Sequence, residues 1–385
     1  MRKSKKSYQV ASPYFSKTDI SWIKSKVKNI LTGKLSTGPF TKEFENKFAK
    51  FVGTKYAVFL NSCTSALEIA IKSLNLKKGD QVIVPVQSFI ADGMCVTSQN
   101  GNIVFANINP ETFCLELKEI KKLYNKKTRA VILVYFGGYM PNDVFEIRKF
   151  CKQKKILLIE DCAHAIGSKF KGKQVGSIGD VGTFSFFATK TITTAEGGML
   201  TTNNDKIYKL ALSLRERGRD WDNKKFEIYK FDWRTCRVPE FSAVMGINQF
   251  SKINKIISHR TKIINIYDKE IKKSPYLISL KKKKNQRLSI WKHITLINTS
   301  KIKREILQKE LSKKYNININ WAYDPPLHLQ TVYKKIYKKN FKRLKKSVLL
   351  MSKHFHLPLH MKISKSDAKY ISKCLILSCA KLAKK

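Results

Sequence analysis

The chain has 385 residues, 43% of them apolar, and carries 76 Lys and Arg against 28 Asp and Glu for a formal net charge of +48. The apolar content supports a sizeable core, in one large domain and a smaller one, and excludes a disordered tail, a collagen-like repeat and a disulfide miniprotein. Such a charge attracts polyanions, but the lysines are spread along the whole chain, so the runs at 281–284, at 334–346 and in the C-terminal KLAKK read as solvated faces, and a nucleic-acid partner is not expected.

From the N-terminus, MRKSKKSYQVASPYF has the basic start of a secretory leader without the apolar segment that follows one. KYAVFL (55–60) reads as a buried strand running into NSCTSALEIAI, a turn of small hydroxylated residues with a helix predicted over 65–74. QVIVPV (81–86) and NIVFANI (102–108) are further strands, followed by a helix over 117–124 and the strand RAVILVYF (129–136). A helix over 142–154 behind Pro141 leads to KILLIED (155–161), and DVGTFSFF (180–187) and GGMLTT (197–202) complete the series. This alternation predicts an α/β fold with a mostly parallel sheet covered on both faces and functional residues at the strand C-termini. After about residue 250 the pattern changes to lysine-rich helices, one strand around 291–298, and the turns YDPPLH and HLPLH. The expected division is a large domain over 1–250 and a smaller one over 251–385. No stretch has the length of a membrane span. The eight cysteines form no CxxC pair or zinc spacing, and scattered thiols suit a reducing cytosol, so a cytoplasmic protein is expected.

Four features fall on the predicted strand ends. The turn at Cys63, Thr64 and Ser65 opens a helix, whose free N–H groups and positive dipole end suit a phosphate, although a plain N-cap has the same look. Asp161 ends an apolar strand, where ionisation needs a cationic partner, and His164 follows three residues later. Ser185 and Lys190 lie in SFFATKTITTAEGGML, and a lysine among apolar and small hydroxyl residues can form a Schiff base with an aldehyde. Phe89, just past a strand, offers a flat face to a ring or simply packs in the core. Together the four demand one phosphate, one protonated ring nitrogen, one aromatic face and one aldehyde, all of which pyridoxal 5′-phosphate (PLP) carries. No metal is called for.

The order and wording of these motifs, densest in EDCAHAIGSKFKGKQVGSIGDVGTFSFFATKTITTAEGGML, resemble the nucleotide-sugar aminotransferases of the DegT/DnrJ/StrS type, over roughly residues 14–360. The resemblance implies the fold type I architecture of PLP enzymes. It also implies a homodimer with a shared active site, and transfer of an amino group, expected from glutamate, to a nucleotide-linked keto sugar for cell-surface polysaccharide or secondary-metabolite sugars. By position, Lys190 looks like the lysine that binds the cofactor aldehyde, Asp161 like the pyridinium partner and His164 like the residue beside the phenolic oxygen. Phe89 matches the stacking position, and Thr64, Ser185 and the Cys63 amide match the phosphate cup. Arg237, Pro239 and Glu240 fall where the family has Arg and Glu before a helix near the dimer interface, and Tyr323 and His328 in YDPPLH are expected to line the substrate cleft. Cys63 and Ala195 replace a Gly, Arg217 a His, and Thr235 lies near the place of an Asn. Lys190 disfavours a dehydratase relative that has His there. The alternatives are a PLP enzyme acting on a non-nucleotide cyclic ketone and a non-catalytic, basic nucleic-acid-binding regulator on the same fold.

Three other signals are set aside. GSKFKGKQ has P-loop spacing but ends in Gln174, GSIGDVG leads into a strand rather than a helix, and Pro358 breaks any helix that would present His354, His356 and His360 together to zinc.

Overall fold

The computed structural model describes residues 6–384 apart from 224, 281, 284 and 338–340, so parts of the three lysine runs lie outside the described residues. Short apolar runs form β1 (Tyr56–Leu60), β2 (Gln81–Pro85), β3 (Asn102–Ala106), β4 (Thr128–Val134) and β5 (Leu157–Asp161). Most of their side chains are buried whichever way they point, as expected of strands covered on both faces. A small hairpin, β6 (Lys169–Phe170) and β7 (Lys173–Gln174), precedes β8 (Val181–Ser185) and β9 (Gly198–Thr202). The seven-stranded sheet has the order β1-β9-β8-β5-β4-β2-β3. Strands β8, β5, β4, β2 and β3 are parallel, whereas β9 is antiparallel to both β1 and β8, because no crossover helix follows β8.

The helices before, between and after these strands are α1 (Lys17–Leu31), α2 (Pro39–Val52), α3 (Cys63–Lys72), α4 (Ile90–Thr97), α5 (Leu117–Leu123), α6 (Val144–Lys154) and α7 (Asp205–Arg215). The helix predicted from residue 65 starts at Cys63, since the Ser62 side chain accepts from Ser65 N at 3.1 Å and caps it. The one predicted from 142 starts at Val144, behind Asp143. Helix α2 is preceded at its N-cap by Gly38, which has no side chain to cap it. Glu240, at the start of α8 (Glu240–Ser251), does so instead, accepting from the N–H groups of Gly38, Phe40 and Thr41 at 2.9, 2.7 and 2.9 Å. Capping of this kind is worth about 1 kcal/mol. Phe44 of α2 lies 5.1 Å from Phe59 and 5.4 Å from Phe186 between ring centroids, which anchors α2 over β1 and the segment after β8.

Helix α9 (Ile253–Ile271) leads into a three-stranded antiparallel sheet of β10 (Leu277–Ser279), β12 (His293–Ile297) and β13 (His354–Leu357), while β11 (Gln286–Arg287) pairs back onto β6. Helices α10 (Arg304–Tyr315), α11 (Thr331–Tyr337), α12 (Lys345–Lys353) and α13 (Lys365–Ala383) complete the chain, with α13 packed along α9 and α10. Among the described residues no helix is long and apolar enough to cross a membrane.

Candidate active site

A cavity of about 380 Å³ opens where α3, β5, β8 and the C-terminal part of the chain meet. Cys63 and Thr64, the first residues of α3, line one side, with N–H groups that have no acceptor within the helix. The strand β9 passes directly beneath, and Gly198 makes this possible: a Cβ there would lie 2.3 Å from Cys63 N. Ser185 at the end of β8 and Gly197 complete this rim.

Asp161 ends β5 and reaches the cavity 6% exposed, its Oδ1 accepting from Ala163 N at 2.9 Å, with Cys63 Sγ 4.0 Å away. Lys190 lies in the same cavity. Burial lowers its ammonium from 10.5 to about 8, and the charge of Asp161 opposes that shift. Asp161 is raised by burial, against which the Ala163 N–H and Lys190 favour the anion.

The far wall comes from the C-terminal half. Trp291, held by its Nε1–H to Thr189 O at 2.6 Å, places its ring 4.2 Å from Lys190 Nζ. His164 stacks on Trp291 at 3.9 Å, accepts from Gly137 N on Nδ1 at 3.2 Å, and meets Tyr323 Oη through Nε2 at 3.0 Å. Burial pushes this imidazole well below its ordinary value, so the neutral ring carries its proton on Nε2 and donates it to Tyr323. The tyrosine O–H is left free to donate onward. Phe89, 52% exposed, tilts toward Tyr323 with ring centroids 5.9 Å apart.

A buried amine, a carboxylate facing it, a helix N-terminus and an exposed aromatic face thus converge on one cavity. Residues 19–376 match the model of the DegT/DnrJ/EryC1/StrS aminotransferase family. GDP-perosamine synthase of Escherichia coli O157:H7 is 31% identical over 84% of this chain and 83% of its own. UDP-4-amino-4,6-dideoxy-N-acetyl-beta-L-altrosamine transaminase of Campylobacter jejuni is 29% identical over 95% and 96%. The PLP form of a putative sugar aminotransferase, Spr1654 of Streptococcus pneumoniae, superposes with a TM-score of 0.88 at 27% identity, covering 98% of this chain and 100% of that one.

The chain belongs to this family. It is a PLP-dependent transaminase, and its fold is that of the PLP aminotransferases. The donor set in the cavity fits the cofactor: main-chain N–H groups for a phosphate, a carboxylate for a ring nitrogen, and an amine of lowered pKa for an aldehyde.

Of the residues singled out from the sequence, Cys63, Thr64, Phe89, Asp161, Ser185, Lys190 and Tyr323 line the cavity. His164 stands one layer behind, reaching it through Tyr323 and Trp291. His328 is a correction: it is 1% exposed and its ring faces Phe105 and Phe341 at 5.9 and 5.6 Å, in a separate groove beside α12. The short helical turn at Leu327–Leu329 buries it there, away from Tyr323. Sequence reasoning missed Trp291 and Asp92. Asp92 reads as an acid complementing the dipole of a first helical turn, and Trp291 as a core aromatic. The cue to Asp92 was its place three residues past Phe89, in the segment that follows the strand at 81–86.

The other signals have structural partners. The residues of GSKFKGKQ form the hairpin β6–β7. The GSIGDVG turn wraps Glu160, which accepts from Gly176 N and Ile178 N at 3.0 and 2.9 Å. His354 faces Met351 O, His356 faces Asn320 Oδ1, and His360 faces Gln9 O, at 2.6, 3.2 and 3.0 Å.

Proposed function

We propose that the chain moves an amino group from an amino acid, glutamate by preference, onto the keto group of a nucleotide-linked sugar. The observation that carries this reading is Lys190 and Asp161 lining one cavity with the N-terminus of α3. The Cys63 and Thr64 N–H groups and the Ser185 hydroxyl would hold the cofactor phosphate, Asp161 the ring nitrogen, Phe89 the ring face and Lys190 the aldehyde. When bound, PLP supplies the electron sink that stabilises a carbanion at the donor's α-carbon. Lys190, shifted to about 8, would carry a proton from one carbon to another within each half-reaction, in opposite directions in the two. His164 holds Tyr323 with its O–H free toward that space. Trp291 and Tyr323 shield the lysine from water.

The names of the E. coli and C. jejuni relatives each carry a nucleoside diphosphate sugar, which supports the nucleotide-linked substrate and does not favour a non-catalytic regulator or a simple cyclic ketone. A homodimer is supported by Trp221 and Phe226, 51% and 61% exposed on the segment before Thr235. Eight free cysteines support a reducing, cytoplasmic setting.

The test is to mix the purified protein with PLP, reduce with borohydride and map the pyridoxyl group by mass spectrometry. Modification at Lys190 is expected, together with amino transfer from glutamate to a panel of nucleoside diphosphate keto sugars. Lys190→Ala should lower that transfer on the order of 10³-fold or more. A protein that stays colourless with PLP and unlabelled at Lys190 would defeat the proposal.

A further inference from the structure

Asp92 lies on α4, in the cavity that holds Asp161, and is 0% exposed. Ser88 donates its O–H to Asp92 Oδ2, while Asp92 Oδ1 has no donor among the described residues. Asp92 and Asp161 line the same cavity, and the charge of Asp161 acts on the Asp92 carboxyl. Two carboxylates sharing one cavity away from water resist ionising together, and a single proton held between them would remove both the repulsion and the unmet oxygen. The asymmetry of the surroundings decides which one keeps it. Asp161 takes the Ala163 N–H at 2.9 Å, whereas Asp92 has only a hydroxyl.

We propose that Asp92 is a positioning residue that stays protonated and donates its O–H to Asp161, holding Asp161 as the anion turned toward the cofactor site. Burial and the charge of Asp161 push the Asp92 carboxyl well above its ordinary value, in the direction this requires. The other titratable groups facing the pair are Cys63 from α3, Cys95 from α4, Cys162 beside Asp161, Tyr323 and Tyr333, whose neutral forms are favoured by burial, and the cation Lys190.

The inference rests on the reading of Asp161 as the partner of the ring nitrogen, yet the proton itself can be observed in protein without cofactor. Infrared difference spectra of cofactor-free wild type against D92N at neutral pH should show a protonated carboxylic acid that the variant lacks. The raised carboxyl favours folding fully only below its unfolded pKa and loses that contribution as pH rises toward the folded value. The urea midpoint of D92N should therefore gain on the wild type as pH climbs out of the ordinary carboxylate range. Binding of PLP, followed by fluorescence, should be retained in D92N, whose amide still donates, and weakened about tenfold in D92A. No acid band in the wild type, or equal loss of PLP affinity in D92N and D92A, would overturn the proposal. Because D92N conserves volume, the infrared and stability results stand even if D92A does not fold. Failure of the wild type to bind PLP would strike the proposed function, with the infrared band still deciding the pair.

Discussion

On the cavity side of Trp291, Lys190 stands among Asp161, Asp92 and Cys63; behind it, Lys292 stands near Arg260, His164 and His356. Both amines lie over the same indole, 4.2 and 4.7 Å from its ring centre. Burial lowers both, Lys190 to about 8 and Lys292 to about 7. The difference lies in the neighbours. The Asp161 carboxylate pulls Lys190 back toward its charged form, whereas Arg260 and Lys190 drive Lys292 further from it. The larger shift thus belongs to the lysine that lines no part of the cavity. A depressed pKa marks desolvation, and only the placement of a carboxylate and an open cavity beside the amine marks a group able to give and take a proton in catalysis.

Removing the carboxylate on the cavity side tests this contrast most severely. Asp161→Asn should cost about 2–5 kcal/mol in PLP affinity by fluorescence titration, since it breaks a buried charge pair. In the cofactor-free protein it should also move the Lys190 amine below about 8, because Asp161 is what raises it. The pH dependence of Lys190 acylation, mapped by mass spectrometry, reads that shift, and an unchanged profile would break the pairing.

Removing the cation behind the indole should act on stability instead. The unfolded Lys292 keeps its proton up to 10.5 and the folded one only to about 7, so the fold pays for a buried cation at low pH and is relieved as pH rises between those values. Lys292→Met should therefore be more stable than the wild type at pH 7 and below. Its advantage should shrink by at most about 1.4 kcal/mol per pH unit toward 10.5. An advantage in urea that does not change with pH would show that Lys292 is not desolvated.

The smallest effect concerns the turn that carries Glu196 and Gly197 to the cavity rim. Ala195 sits at φ +66°, in the left-handed region. Ala195→Gly should stabilise the protein by about 1 kcal/mol in thermal unfolding, with PLP affinity unchanged. A loss of stability would mean that the methyl group's packing outweighs its strain.

Much of the cavity side was legible because its residues sit at the ends of contiguous apolar strands. Asp161 closes β5 and Ser185 closes β8, the hydroxyl-rich start of α3 follows β1, and Lys190 comes five residues after Ser185. Local pattern was enough for these. It misled at His328, where YDPPLH suggested that two neighbours share one cleft. The backbone carries Tyr323 to the cavity and buries His328 against Phe105 on β3.

From the order of residues alone come the alternation of strand and helix and the placement of the α3 start, Asp161 and Lys190 past strand ends, since each follows from local periodicity and from what a strand end exposes. Only the folded chain decides that β9 runs backward between β1 and β8, that Asp92 shares a cavity with Asp161, and that Trp291 and Tyr323 close the wall over Lys190. These depend on strand order and on segments many tens of residues apart in the chain packing together, and such contacts leave no period in the sequence.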